Sequence, residues 1–497
     1  MRKCFHVLIG SICAVGLIVP TTFAQPIGST IVLRDDTPTY EEAGLVPIHA
    51  DVPVVLGKTG GEDREPKISV LNNGTTAVFW VNRNGSHHVN GVDATGKQVF
   101  PTITEDNAID ILLGIHTTGN TNWTLNKADR VGGGFLAAAT WAAGALAGSE
   151  AIILDTVVDA DGIVNDEGQG HGFLKLFNSN LEPTTSPISI SQFTAGHREW
   201  DCCWLSDGKF VITTVAQDHR YAEDPDYPAG GAKVGTVNIF NADGTRFKDE
   251  FFIDDLVGQK GDMRCGALSN GFAVVYVDDQ SAVGGQRVVR GVTFDNAGNR
   301  LKEFVANDTT TGSAATWMDA GGGNQLVTIH QIVAPEGMGF PADVEGANVI
   351  LAQLWNAQGE PIGPAILCTQ HSSADNRSLG RPRVAMAPNG SFCVSWEDNV
   401  ANDVDGVPCV VCRVFNADGT PATDAFIPHK LPEFTVPGTE TSTGGGAPGE
   451  GMPGMNNDYV AITWGSRGIN AGANRDVVVT VFPNPAKGAA VSDWALR

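Results

Sequence analysis

The hexapeptide FNADGT occurs twice without change, at Phe240–Thr245 and Phe415–Thr420, with looser copies at Phe294–Asn299 and Trp355–Glu360. Nothing else constrains the fold as strongly. The wider stretch around residues 380–428 recurs in weaker form from about residue 64 to the C-terminus. Such self-similarity describes a unit that cannot bury its apolar face alone and must stack against neighbouring copies.

Seven units can be counted. Each opens with a short strand and a tight turn, as at Ser206-Asp207-Gly208 and Pro388-Asn389-Gly390, residues that supply positive φ cheaply. A β-rich second strand follows: TAVFWV, FLAAATW, KFVITTV, FAVVYV, QLVTIH, SFCVSW and YVAITW in turn. An aromatic closes five of these (Trp80, Trp141, Tyr276, Trp396, Trp464), and Thr214 and His330 stand in two others. After a variable loop come a third strand, the Asn-Ala-Asp-Gly type of turn, and a fourth strand. Four strands in each unit predict an all-β chain, a β-propeller of seven four-stranded blades, with six or eight blades also fitting the spacing.

This pattern of strand, x-Asn/Asp-Gly, β-rich strand ending in Trp, then Phe-Asn/Asp-Ala-Asp/Gly-Gly resembles the repeats of secreted bacterial β-propeller proteins. The resemblance covers the repeats alone. It implies a fold and an exported location, and no activity, because propellers host binding scaffolds, lyases and hydrolases alike.

Residues 1–24 read as a signal peptide: Arg2 and Lys3, an apolar run, then Thr22-Phe23-Ala24 before Gln25. The expected location is therefore secreted or periplasmic. Residues 25–62 match no repeat and form an N-terminal extension, in which 45–57 could supply an edge strand or a linker. The propeller is expected over 63–497. No later stretch has the roughly 18 apolar residues that a membrane helix needs, so no membrane insertion is expected. The net charge of −24 argues against nucleic acid, which requires a basic face. Seven cysteines follow the leader, an odd number that leaves at least one thiol unpaired or shared between chains.

In propeller topology the first–second and third–fourth turns share one face and the longer loops share the other. Function concentrates on long loops. His87, His88, His116, His171, His197, His219, His330, His371 and His429 all fall toward the long-loop face, as do Arg198, Arg377 and Arg381. Polar residues populate loops in any case, so this placement is equally expected of a plain solvated surface.

The densest cluster belongs to the third unit. His197-Arg198-Glu199-Trp200-Asp201 leads into it, and Gln217-Asp218-His219-Arg220-Tyr221 follows its second strand. His219 and Tyr221 as base and acid, with Arg220 and His197 beside them, would suit β-elimination on a uronate whose carboxylate an arginine neutralises. A solvated loop with Arg–Asp pairs is the simpler account. Arg198, Trp200, His87, His88, His330, His371 and Arg381 are the candidate ligand-binding residues.

Asp159-Ala160-Asp161-Gly162 resembles part of a calcium loop, but Ile163 and Gly170 stand where ligands belong. Asp398, Asp403 and Asp405 form a second acidic loop, expected to be solvated. Calcium is the cofactor these loops leave open. Cys409-Val-Val-Cys412 lies in a strand context, where positions i and i+3 face opposite ways, so it is not a metal or redox motif.

Three readings follow. The first is an exported propeller that binds a polysaccharide or an extracellular protein on its long-loop face. The second is a polysaccharide lyase centred on the third blade. The third is a structural module of an envelope assembly.

Overall fold

The computed structural model describes residues 37–49, 54–56, 63–82, 87–99, 123–125, 135–141, 171–181, 184–185, 188–190, 195–218, 232–254, 259–279, 287–307, 318–323, 325–334, 336, 340–375, 377–398, 409–429, 449–467 and 475–486. Among them there is no α-helix, only a single 3₁₀ turn at Ser373–Asp375. Among the described residues no helix is long and apolar enough to cross a membrane.

The strands form seven antiparallel sheets in chain order. Sheet 1 holds Asp63–Val70, Thr76–Asn82 and His87–Val92, and sheet 2 Trp123–Leu125, Phe135–Trp141, His171–Phe177 and Ile188–Ser189. Sheet 3 holds Ala195–Trp204, Phe210–Asp218, Ala232–Phe240 and Arg246–Phe252, and sheet 4 Gln259–Leu268, Gly271–Asp279, Arg287–Asp295 and Arg300–Asn307. Sheet 5 holds Met318–Gly322, Leu326–Val333, Asn348–Trp355 and Pro361–Leu367. Sheet 6 holds Leu379–Met386, Phe392–Asp398 and Cys409–Phe415. Sheet 7 holds Gly449–Met455, Tyr459–Arg467 and Arg475–Pro483, completed by Val54–Val55 from the other end of the chain. Strands are called a to d below in the order given for each sheet.

All seven β-rich segments read from the sequence are the b strands. Strand a of each sheet lies beside strand a of the next, and that of sheet 7 lies beside that of sheet 1. The side chains of strand b in sheet 6 pack alternately toward the preceding and following sheets. Trp396, for example, shares a core with Val327 and Ile329 of sheet 5, whereas Cys393 packs with Val460 and Ile462 of sheet 7. Burial on both faces explains the imperfect alternation of the sequence.

Among the described residues, the expectation of four strands from every unit is not met in sheets 1 and 6, which have three, or in sheet 7, whose unit supplies three of its four. In sheet 6 the segment after the FNADGT turn makes only isolated bridges, Phe415 with Pro421 and Cys412 with Phe426. Pro421 has no N–H to give a ladder, and this shortens the pairing at its start.

The repeated hexapeptide encodes the same turn both times. Asn241 N–H donates to Thr245 O at 2.8 Å and Gly244 N–H to Asn241 O at 2.9 Å; Asn416, Thr420 and Gly419 repeat both bonds at 2.8 and 2.9 Å. The aspartate seals the turn from inside, with Thr245 N–H on Asp243 Oδ1 and Thr420 N–H on Asp418 Oδ1, both at 2.9 Å. Glycine is required here, since Gly244 and Gly419 have φ of 89° and 83°.

A second repeated device shapes strand a. In sheets 1, 3, 4, 6 and 7 one extra residue bulges from strand a opposite the position that closes the aromatic run of strand b. The bulged pairs are Glu65-Pro66, Glu199-Trp200, Asp262-Met263, Arg381-Pro382 and Glu450-Gly451. Asp262 and Arg381 both hold φ of +46°, an unusual value for residues with a Cβ. Bulges re-aim side chains at sheet edges, and every one of these begins with a charged residue.

Candidate functional site

Between sheets 5 and 6, at the end where strand b of sheet 6 finishes, lies a pocket of about 250 Å³, open mouth included. Its walls come from three separated parts of the chain. Gln370, His371 and Arg377 belong to the connection between the two sheets, Trp396 and Asp398 to the end of strand b, and Thr37 and Ala425 complete the lining. All but Thr37 are nearly buried.

The charged pair at the back is Arg377 and Asp398, 3.2 Å apart with side chains 4% and 2% exposed. Arg377 also donates to Thr37 Oγ1 at 3.1 Å. His371 Nε2 lies 2.8 Å from the carbonyl oxygen of Asn348, so this nitrogen carries a proton and donates. Burial holds the His371 ring below its ordinary titration range, while Asp398 works weakly the other way. The ring is then neutral near pH 7 and its Nδ1 is an acceptor. Gln370 Oε1 accepts from Ala425 N–H at 2.6 Å, and its Nε2 donates to Asp424 at 3.1 Å, which locks the amide's orientation. Trp396 is 2% exposed, and its indole Nε1 is buried without a hydrogen-bond partner. Thr369, beside Gln370 in the chain, likewise has a fully buried hydroxyl without a partner.

Cys409, paired in register with Asp398, has its thiol pushed well above the ordinary range by burial. Cys203 with Cys265, and Cys393 with Cys412, share cores as buried thiols outside any disulfide, and Cys202 and Cys368 are buried thiols too. No group of three or more His, Cys, Asp or Glu able to hold a metal occurs among the described residues. The Asp159–Glu167 loop, Asp403 and Asp405 lie outside those residues.

Of the residues singled out from sequence, His371 lines the pocket together with Arg377. Arg381 is one bulge away, with its guanidinium 3.6 Å from Glu397. His330 is elsewhere. It is 3% exposed on strand b of sheet 5, with Nε2 3.2 Å from Thr328 Oγ1, and burial lowers its titration to about 4. His87 and His88 were expected in a loop but begin strand c of sheet 1, where His88 is 2% exposed and stacks on Trp80 at 5.7 Å. The Trp80 indole surface favours burial of the ring over its exposure in a loop. Asp398, expected in a solvated loop, is 1% exposed because Arg377 takes its charge. His197, Arg198 and Trp200 lie on strand a of sheet 3, with side chains outside the described residues. His219, Arg220 and Tyr221 lie outside the described residues altogether. Gln370, Trp396 and Thr37 were not foreseen as partners in one site.

The corresponding place in sheet 4 is closed by its own side chains. Lys260 Nζ lies 2.6 Å from Asp278 and 3.4 Å from Asp254, Arg290 Nε lies 2.8 Å from Asp278, and the Tyr276 hydroxyl donates to Asp254. Burial and the Asp254 charge raise the Tyr276 hydroxyl far above its usual range, so it stays a donor.

No family model and no curated protein match the sequence, and the resemblance to secreted bacterial repeats therefore stays at the level of the repeat. Solved structures similar to this chain include a protein of unknown function from Dyadobacter fermentans, 11% identical over 75% of this chain and 97% of that one, with a TM-score of 0.42. An ulvan lyase is 9% identical over 94% and 98%, at a TM-score of 0.41. An α-L-arabinofuranosidase from Fusarium graminearum is 9% identical over 86% and 96%, at 0.36. Likenesses at these levels carry no statement about activity.

Proposed function

We propose that the seven sheets are the blades of a propeller and that the chain is an exported bacterial protein which binds a carbohydrate across the mouth of the pocket between sheets 5 and 6. The convergence of His371, Arg377, Asp398, Gln370 and the Trp396 indole on one open pocket carries this reading. Sugars are recognised by that mixture of aromatic surface and fixed donors and acceptors. The leader-like residues 1–24 and the net charge of −24 support export and disfavour nucleic acid or an anionic surface as partner.

The test is binding of the purified chain to a panel of neutral and acidic oligosaccharides, with ultraviolet absorbance followed for unsaturated uronic ends. Saturable binding that disappears in His371→Leu, with the melting temperature held within a few degrees, supports the reading. Binding that survives His371→Leu moves the site elsewhere, and appearance of unsaturated ends replaces binding with lyase activity.

A further inference from the structure

The polar tips that close strand b differ in whether the protein gives them a partner. Phe272 and Phe392 pair with the aromatics that end strand c, Phe294 and Phe415, so four residues on Tyr276 and Trp396 hold the same position. In sheet 4 the chain supplies the partner, for the Tyr276 hydroxyl donates to the Asp254 carboxylate. Trp396 Nε1 is buried with no hydrogen-bond partner among the described residues. Trp80 Nε1 and His330 Nδ1, which close strand b in sheets 1 and 5, are left in the same way. Buried polar groups are nearly always paired, by ordered water where the protein offers nothing.

At Trp396 there is room for such a partner. The centre of a water molecule can occupy about 10 Å³ of the pocket, which is space for one water. Three groups on the pocket walls have a hydrogen bond still to make. Trp396 Nε1 has a proton to give. His371 gives its Nε2 proton to the carbonyl oxygen of Asn348, which leaves Nδ1 as an acceptor. Thr37 Oγ1 accepts from Arg377 at 3.1 Å, so its own hydroxyl proton is left to donate. Thr37, His371 and Trp396 come from three separate stretches of chain, and all line this one pocket.

The balance of donors and acceptors selects the occupant. A cation of that size would face the Trp396 and Thr37 protons and the Arg377 guanidinium. An anion would face the His371 lone pair and the Asp398 carboxylate. A methyl group would leave all three groups unpaired, and burial makes that costly. Water accepts two hydrogen bonds and gives two. It can take the protons of Trp396 and Thr37 and give one of its own to His371 Nδ1. Asp398, on the same walls, is an acceptor for the other.

We infer that this pocket is the binding site of one fixed water, held by Trp396 Nε1, His371 Nδ1 and the Thr37 hydroxyl, and that a ligand at the mouth rests on that water without displacing it. Only the second half rests on the carbohydrate reading above. A bridging water is nearly as good a contact as a direct hydrogen bond, and keeping it in place keeps the buried indole satisfied. Burial holds the His371 ring neutral near pH 7, so Nδ1 stays an acceptor there.

The test uses the full chain with ¹⁵N-labelled tryptophan at pH 7, the Trp396 indole signal being identified by its loss in Trp396→Phe. The expected result is a cross-relaxation peak between that indole proton and water, with the rotating-frame sign that excludes proton exchange. It should persist in Thr37→Val, which has no hydroxyl to relay the signal, and vanish in His371→Leu. No peak in the wild type, or its loss in Thr37→Val, overturns the water site. Persistence in His371→Leu overturns the part given to Nδ1. A saturable shift with ammonium chloride that sodium sulfate does not produce assigns the pocket to an ion and overturns the site as well. A crystal structure fine enough to show ordered solvent checks the same point without any variant. One oxygen within hydrogen-bond distance of all three atoms is expected, and a dry pocket overturns the inference. Methyl glycosides are then titrated. A glycoside that shifts the indole resonance and leaves the water peak in place is the expected outcome. A peak lost on binding, or a resonance that binding never moves, overturns the second half alone. If no glycoside binds, the carbohydrate reading falls and the water site stands.

Discussion

Lys260 Nζ lies 2.6 Å from Asp278 Oδ1 with both side chains inside sheet 4, at 2% and 0% exposure. Removing one partner of such a pair strands charge in the interior. Lys260→Met leaves Asp254 and Asp278 facing Arg290 alone and is expected to cost about 3–5 kcal/mol in urea unfolding. Adding Asp278→Leu to it should recover part of that loss. A Lys260→Met protein as stable as the wild type would mean the pair contributes nothing.

His330 gives a pH dependence of definite sign. Its ring titrates near 4 in the folded chain against an ordinary 6.5, because burial disfavours the charged form. As pH falls through 6.5 the unfolded chain takes up the proton first, so stability declines from there down to about pH 4. The decline from this group amounts to about 3 kcal/mol. Unfolding at pH 7 and pH 4.5 for the wild type and His330→Gln should show a shallower loss in the variant. Equal slopes would place the acid sensitivity in other residues.

Gly419 turns the second FNADGT copy at φ 83°, and a Cβ there would come within 2.5 Å of Ile366 Cδ1 on the preceding sheet. Gly419→Ala is expected to destabilise by about 1–3 kcal/mol, combining backbone strain with overpacking. The companion change Ile366→Val should relieve the overpacking share only. Full restoration by Ile366→Val would show that conformation at Gly419 is not limiting.

The seven cysteines from Cys202 to Cys412 are all buried thiols outside any disulfide. Reaction with a water-soluble disulfide reagent should be negligible in the folded chain and reach completion on unfolding in guanidinium. Rapid labelling of any of them under native conditions would contradict their burial.

The strands and turns were legible in the sequence because the information for them is local. Asn416, Asp418, Gly419 and Thr420 make one another's hydrogen bonds within six residues, so a repeated hexapeptide gives a repeated turn. The pocket was not legible in that way. Thr37 precedes its partner Arg377 by 340 residues, and nothing in its neighbourhood announces the contact. Asp398 sits among acidic neighbours in sequence and so reads as solvated. A usable cue was nonetheless present in the shared pattern Tyr276-x-Asp278 and Trp396-x-Asp398. Aspartate two residues beyond a strand-closing aromatic is held at the strand's end, where a cation can reach it. His219 and Tyr221 drew attention by density alone, and density of polar residues is as much a property of loops as of sites.

The pairing of Val54 and Val55 with Val479 and Val478 has a consequence for how the array comes apart. A linear stack of repeats frays from its termini, each outermost unit detaching without disturbing the rest. Here the segment before sheet 1 is bonded into sheet 7, where Leu56, Ile48 and His49 add bonds to Val477 and Val481. Peeling sheet 7 away must therefore also break its bonds to the segment that precedes sheet 1. Val54 and Val55 also stay without these partners until Arg475–Pro483 has been made, which delays completion of sheet 7 to the last of the described strands.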